Sequence, residues 1–161
     1  MRVIFPGTFD PPTKGHLNII QRATKLFDQV DVAIGLDTEK KEPTFTQKER
    51  LHFLETLTQD FFNVEVHIFN GLLVDFAKKL GSNFILRSMR TFNDFEHEKT
   101  LAHANQKLSN IETLFLFPNE EFHSISSTLI RDIAKRGERL TAFIPGAIEQ
   151  AVFEKLRGEL R

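Results

Sequence analysis

Residues 6 to 16, Pro6-Gly7-Thr8-Phe9-Asp10-Pro11-Pro12-Thr13-Lys14-Gly15-His16, set hydroxyls, glycines and a histidine between an apolar run and a helical pattern. Val3-Ile4-Phe5 is short, β-rich and stopped by Pro6-Gly7, and Leu17, Ile20, Ala23, Leu26 and Phe27 recur at helical spacing. The join therefore reads strand, tight loop, helix. The first N–H groups of a helix lack internal partners and its dipole favours an anion, so a phosphate can bind there without a dedicated charge. Thr8 adds a hydroxyl, and Gly7 and Gly15 let the backbone come close. His16 falls in the first helical turn, where a ring N–H can donate to a phosphate oxygen as charge builds up during transfer. Standing alone, a histidine there is most often a cap or a surface residue. The segment has neither the Gly-Lys-Ser/Thr ending of a P-loop nor a Gly-x-Gly-x-x-Gly fingerprint, so both of those classes lose ground.

Three further clusters carry phosphate chemistry. Lys40 and Lys41 in a polar loop are either solvated charges or point charges for a phosphate. Arg87 and Arg90, three apart at a strand end, present planar forks suited to bidentate phosphate contact, with ion pairing to Asp94, Glu96 or Glu98 as the alternative. Ser126-Ser127-Thr128 opens a helix, where capping explains one hydroxyl and three exceed that need. The other histidines offer less: His97 and His103 are six apart, wrong for a zinc helix, and neither His52 nor His67 has a companion. No protein metal site is expected.

These residues need a scaffold. Strands at Val3–Phe5, Val30–Leu36, Val64–Ile68, Phe84–Leu86 and Thr113–Phe117 alternate with helical patterns. A capping box at Thr46 and Glu49 starts the second helix. Leu73, Phe76, Ala77 and Leu80 face inward on the third, closed by Gly81, and Phe95, Leu101, Ala104 and Leu108 mark a fourth. Ser127–Arg136 and Pro145–Leu156 end the chain. Such alternation predicts an α/β fold, a single-domain doubly wound five-stranded parallel sheet spanning residues 1–161. In that architecture ligands bind outside the carboxyl ends of the strands, and all the polar clusters fall on that edge.

Composition narrows the classes. A chain of 161 residues is one domain by length, and the absence of cysteine removes disulfides, thiolate metal sites and a cysteine nucleophile. Basic and acidic residues number 21 and 22 with a net charge of −1, giving no bulk attraction to nucleic acid or anionic lipid. There are 17 Phe and no Tyr or Trp, so phenolic chemistry is excluded and the aromatics serve packing. With no leader-like start and no long apolar run, a cytoplasmic location is expected.

Thr13-Lys14-Gly15-His16 resembles the Thr/His-x-Gly-His tetrad of the nucleotidylyltransferase superfamily. The string Pro6–Pro11, with Lys40-Lys41, Arg87-Ser88-Met89-Arg90, Asp94-Phe95-Glu96, Leu101-Ala102-His103 and Ile125–Thr128, is similar to the bacterial phosphopantetheine adenylyltransferase family over nearly the whole chain. The resemblance implies a Rossmann-like nucleotidylyltransferase fold and adenylyl transfer from ATP to 4′-phosphopantetheine, the penultimate step of coenzyme A synthesis. It implies that His16 stabilises the transition state with Lys40 and Thr8. ATP would be held by Thr8, Phe9, His16, Ser88, Met89, Arg90, Glu98, Phe122, His123, Ser124, Ile125, Ser126, Ser127 and Thr128, and the acceptor by Thr8, Lys40, Leu73 and Arg87. It further implies Mg²⁺ carried with ATP, coenzyme A as a feedback ligand and a homohexamer. Ser88 stands where the family commonly has glycine, and Glu42 looks like a one-residue insertion beside Lys40. Sister enzymes acting on nicotinate mononucleotide or using CTP share the tetrad, and a non-catalytic nucleotide sensor is the rival from another class.

Overall fold

Strand β1 (Arg2–Gly7) forms from β-branched and aromatic residues that are buried on both faces, as a central parallel strand requires. It runs further than the sequence suggests: Pro6 and Gly7 stay paired with Ala33 and Ile34 of β2 (Gln29–Gly35). Towards β4 (Phe84–Ser88) the pairing is Ile4 opposite Ile85, short of Pro6, so the proline's missing N–H interrupts no bond there.

The computed structural model describes residues 1–36, 43–89 and 92–158. With β3 (Val64–Phe69) and β5 (Glu112–Leu116), the five strands are all parallel in the order β3-β2-β1-β4-β5. This is the single-domain doubly wound α/β fold expected. Helices α1 (Lys14–Ala23), α2 (Gln47–Thr58), α3 (Leu73–Leu80) and α4 (Phe92–Ser109) make the crossovers, and α5 (Ser127–Lys135) and α6 (Gly146–Gly158) follow β5. Strand order reverses between β1 and β4, which opens a crevice at their carboxyl ends. No helix among the described residues is long and apolar enough to cross a membrane.

The period of two along β1 sorts side chains between cores. Val3 and Phe5 join Val30, Val32 and Ile34 under Ile19, Ile20 and Ala23 of α1 and Leu54 of α2. Ile4, Ala33 and Ile85 meet Val74 and Ala77 of α3 on the other face. A third core joins Phe45 and Phe53 to Ile130 and Ala134 of α5 and to Ile148, Val152 and Leu156 of α6. Each fully buried aliphatic side chain there contributes roughly 1.5–3 kcal/mol. Lys155 adds bonds of 2.8 and 2.6 Å to the Glu49 carboxylate, so α5 and α6 are fixed against α2 and beside the β1–α1 loop.

The first helical pattern outruns its helix, whereas the fourth matches α4. α1 stops at Ala23, where the ladder tightens to i→i−3 bonds from Lys25 N–H to Arg22 O at 3.2 Å and from Leu26 N–H to Ala23 O at 3.0 Å; Phe27 is buried but Leu26 is 56% exposed. On α4 the stripe of Phe95, Leu101, Ala104 and Leu108 faces outward, with Leu108 64% exposed, while Glu98 is the buried residue among its described side chains. Periodicity shows that a stripe exists, and here the side turned inward carries the site's carboxylate.

His67 has companions after all. Its Nε2 lies 2.9 Å from Asp31 Oδ1 and 3.6 Å from Glu65 Oε2, within the sheet and outside the cavity's lining described below. Arg2 donates to both Asp31 oxygens, at 2.5 and 2.9 Å. Burial acts to raise the Asp31 carboxyl, and the hydrogen bonds from Arg2 and His67 outweigh it, holding the group below the usual aspartate value. The donor atoms of Asp31, Glu65 and His67 lie within 4.8 Å of one another, but the Arg2 guanidinium already serves as their cation.

Candidate active site

A cavity of about 780 Å³ opens at the carboxyl ends of β1 and β4, lined among others by Thr8, His16, Leu73, Arg87, Ser88, Glu98, Phe122 and Ile125. Residues from five separate segments thus converge where the strand order reverses.

The start of α1 is a reciprocal cap. Thr13 sits at the N-cap in extended conformation, its Oγ1 accepting from His16 N–H at 3.2 Å, while Thr13 N–H donates to His16 Nδ1 at 3.0 Å. Histidine thereby takes the place that glutamate holds in the ordinary capping box, as Glu49 does for Thr46 in α2. An Nδ1 that accepts a backbone N–H carries no proton, so the neutral ring keeps its proton on Nε2 as a donor. Lys14 N–H donates to Phe143 O at 2.9 Å. The first turn's N–H groups at Lys14 and His16 are therefore taken, which narrows the phosphate cradle read from the sequence to Gly15 and the imidazole, both of which line the cavity.

Phe9 backs that ring. Its side chain is 1% exposed and stands edge-on to His16 and to Phe5, with centroids at 5.0 and 5.7 Å. Gly7 lines the cavity and also makes room for this ring: a Cβ there would meet Phe9 Cζ at 2.9 Å. Phe9 has φ of +49°, a left-handed backbone that costs a non-glycine residue on the order of 1–3 kcal/mol and needs support from its surroundings.

Arg87 and Glu98, assigned above to different ligands, form one pair. Arg87 Nε and Nη2 donate to Glu98 Oε2 and Oε1 at 2.6 and 2.5 Å, the ion-pairing alternative left open by the sequence. Both still line the cavity. Ser88 lines it without a left-handed backbone; Phe9 and Asn110 are the non-glycine residues with positive φ among those described, so serine fits without strain. Met89 is buried and outside the lining, and Leu73 borders the cavity from the first turn of α3. Lys40, Lys41, Glu42 and Arg90 lie outside the described residues, as do the side chains of Asp94 and His97.

The hydroxyls opening α5 are each engaged. Ser126 accepts from Leu129 N–H at 3.1 Å, Ser127 Oγ donates to Pro11 O at 3.0 Å, and Thr128 Oγ1 accepts from Arg131 Nη2 at 3.3 Å. Each hydroxyl thus has a local structural use, and Ser126 and Thr128, which accept in these bonds, keep an O–H to donate. His123 donates to Pro118 O at 2.8 Å, and Ser124 and Thr128 are exposed beyond the cavity's lining. Sequence reasoning missed Phe69, Asn70, Gly71 and Leu72, which line the cavity at the end of β3. The Asn-Gly pair, with Gly71 at φ of +83°, was the available turn signal.

The sequence model of the cytidylyltransferase-like family matches residues 4–133. The chain is 44% identical to a phosphopantetheine adenylyltransferase of Thermodesulfovibrio yellowstonii, covering 96% of both chains, and 43% identical to one of Aquifex aeolicus, covering 96% of this chain and 95% of that one. Among solved structures, the lipopolysaccharide core biosynthesis protein from Thermoplasma volcanium is similar with a TM-score of 0.53 at 21% identity, over 74% of this chain and 96% of that chain, a likeness of fold. The chain belongs to the cytidylyltransferase-like family of nucleotidyltransferases and, within it, to the phosphopantetheine adenylyltransferases.

Proposed function

We propose that the cavity transfers the adenylyl group of ATP to 4′-phosphopantetheine, giving dephospho-coenzyme A and pyrophosphate. The observation that carries this reading is that His16, with its Nδ1 accepting from Thr13 N–H, and Arg87 line one cavity at the strand-order reversal. An oxygen of the acceptor phosphate attacks the α-phosphorus of ATP, and the bond to the β-phosphate breaks as pyrophosphate leaves. The nucleophile is already ionised, so no strong base is required and catalysis reduces to positioning and charge stabilisation. In this reading His16 Nε2–H donates to the α-phosphate, Arg87, oriented by Glu98, holds the acceptor phosphate with Lys40, and Leu73 meets the pantetheine arm. The start of α5 and the loop from Phe122 hold the nucleotide.

Mg²⁺ enters here as a companion of the triphosphate, neutralising its charge. Glu98 is the one carboxylate among the described lining residues and Arg87 occupies both of its oxygens, so the donor set fits an ion carried by ATP and not a protein cage. The exposed stripe of Phe95, Leu101 and Leu108 supports burial of α4 against further copies, consistent with a hexamer. A cytoplasmic location and feedback by coenzyme A belong to the same reading.

The test is a pyrophosphate-release assay with ATP or CTP against 4′-phosphopantetheine, nicotinate mononucleotide, flavin mononucleotide and glycerol 3-phosphate. ATP with 4′-phosphopantetheine is the expected pair. Preference for another acceptor, or equal use of CTP, would move the chain to a sister activity.

A further inference from the structure

Outside the cavity, two arginines from different helices converge on the loop that carries Thr8. Arg50 of α2 is 2% exposed, and its Nη1 donates to the carbonyl of Thr8 at 2.8 Å. Arg131 of α5 donates through Nη1 to the carbonyl of Asp10 at 2.5 Å and through Nη2 to Thr128 Oγ1 at 3.3 Å. The two carbonyls flank Phe9, the residue with left-handed backbone whose ring supports His16. Ser127 Oγ holds the next carbonyl, Pro11 O, at 3.0 Å. The carboxylate of Asp10 accepts from Thr44 and Phe45 N–H at 3.0 and 2.7 Å and lies 3.5 Å from Arg131 Nη1, tying the same loop to the entry of α2.

Burying Arg50 is costly: burial pushes its guanidinium down, offset in part by Asp10, and its Nε has no hydrogen-bond partner. A helix with a threonine cap and a packed face does not need that residue for its own stability. Neither arginine lines the cavity, whereas Thr8 and His16 do. We propose that Arg50 and Arg131 are positioning residues for adenylyl transfer, clamping the carbonyls on either side of Phe9 so that Thr8 and the ring behind His16 stay in reactive geometry. Removing a clamp lets the loop relax at Phe9. A displacement of about 1 Å is enough to lower kcat by roughly 10²-fold while the substrates still bind.

The inference rests on the adenylyl-transfer reading, and one experiment separates the two. Arg50→Met, Arg131→Met and the corresponding lysine variants are purified, checked for folding by circular dichroism, and assayed with ATP and 4′-phosphopantetheine; the ¹⁵N resonances of the His16 ring are recorded in parallel. Absence of wild-type turnover counts against the proposed reaction alone, because the His16 resonances report on the clamp without catalysis. The expected result is kcat lowered by roughly 10- to 100-fold, KM for ATP within about threefold, partial recovery with lysine, and shifted His16 resonances. A purely structural role would lower the melting temperature and leave kcat per folded molecule and the His16 resonances unchanged, and that result overturns the inference. Should a methionine variant fail to fold, the lysine variants carry the same comparison. Arg131, whose side chain is 27% exposed, is the site better able to tolerate change.

Discussion

Replacing His16 with glutamate should separate what the first turn of α1 needs for folding from what it needs for chemistry. The third helical position after a threonine cap ordinarily takes glutamate, and the chain's own α2 does so: Thr46 N–H donates to Glu49 Oε2 at 2.7 Å, matching the 3.0 Å bond from Thr13 N–H to His16 Nδ1. Glutamate at position 16 can make the same bond and gains from the helix dipole by about 0.3–1 kcal/mol. It loses the edge-on contact with Phe9, worth roughly 0.5–1.5 kcal/mol beyond area. These nearly cancel, so stability should change by no more than about 1 kcal/mol, a melting shift within roughly 4 °C for a chain of this size. Activity should respond very differently. Loss of one preorganised donor to the developing charge costs roughly 10²- to 10³-fold in kcat. A carboxylate facing the phosphates adds repulsion, on the order of 4 kcal/mol at 4 Å in a half-exposed site. Thermal melts and steady-state pyrophosphate release on the same preparation are the assay. A folded His16→Glu enzyme retaining more than a tenth of wild-type kcat would refute the assignment, and so would a variant whose activity falls only in step with its stability.

Thr13→Val removes the hydroxyl that caps His16 N–H but leaves the backbone donor to Nδ1, so melts should show a loss of about 1 kcal/mol, while kcat falls by less than about tenfold. Arg87→Lys replaces a fork holding both Glu98 oxygens with a point charge; in kinetics with each substrate varied, kcat/KM for 4′-phosphopantetheine should fall by roughly tenfold, one charge-assisted hydrogen bond, with KM for ATP nearly unchanged. Asp31 has a folded value below its unfolded one of about 3.9, so its stabilisation is complete above that pH and is lost as pH falls through the lower folded value. Urea titrations from pH 7 downward should therefore show the wild type losing stability below about pH 4 relative to Asp31→Asn, and parallel curves would contradict this.

Local signals carried the scaffold. Alternating β-rich runs and helical patterns located the strands and crossovers, and the Thr46–Glu49 box marked the start of α2. Those features depend on neighbours in sequence, which is why they are readable. The Thr13–His16 cap has the same local form, but the sequence leaves a cap as one of two roles for His16, because histidine is not the ordinary partner at that position. Other features depend on segments far apart in the chain. Arg50 and Arg131 carry no motif of their own in the sequence, and meet the loop's carbonyls only when α2 and α5 close over the β1–α1 loop. For Arg87 the candidates Asp94, Glu96 and Glu98 stood open because the choice depends on how α4 rotates against β4. The same rotation turns Leu101 and Leu108 outward, which periodicity alone could not decide.

The central claim is that one cavity holds both phosphates in line and joins them directly, with no adenylyl group passing through the protein. A single diastereomer of ATP bearing sulfur on the α-phosphorus, reacted with 4′-phosphopantetheine, tests it through the configuration of the thio-substituted dephospho-coenzyme A. One direct displacement predicts inversion at phosphorus. Retention would require two displacements through a covalent adenylyl-protein intermediate, and would contradict a mechanism in which His16, Arg87 and their supports only position and stabilise.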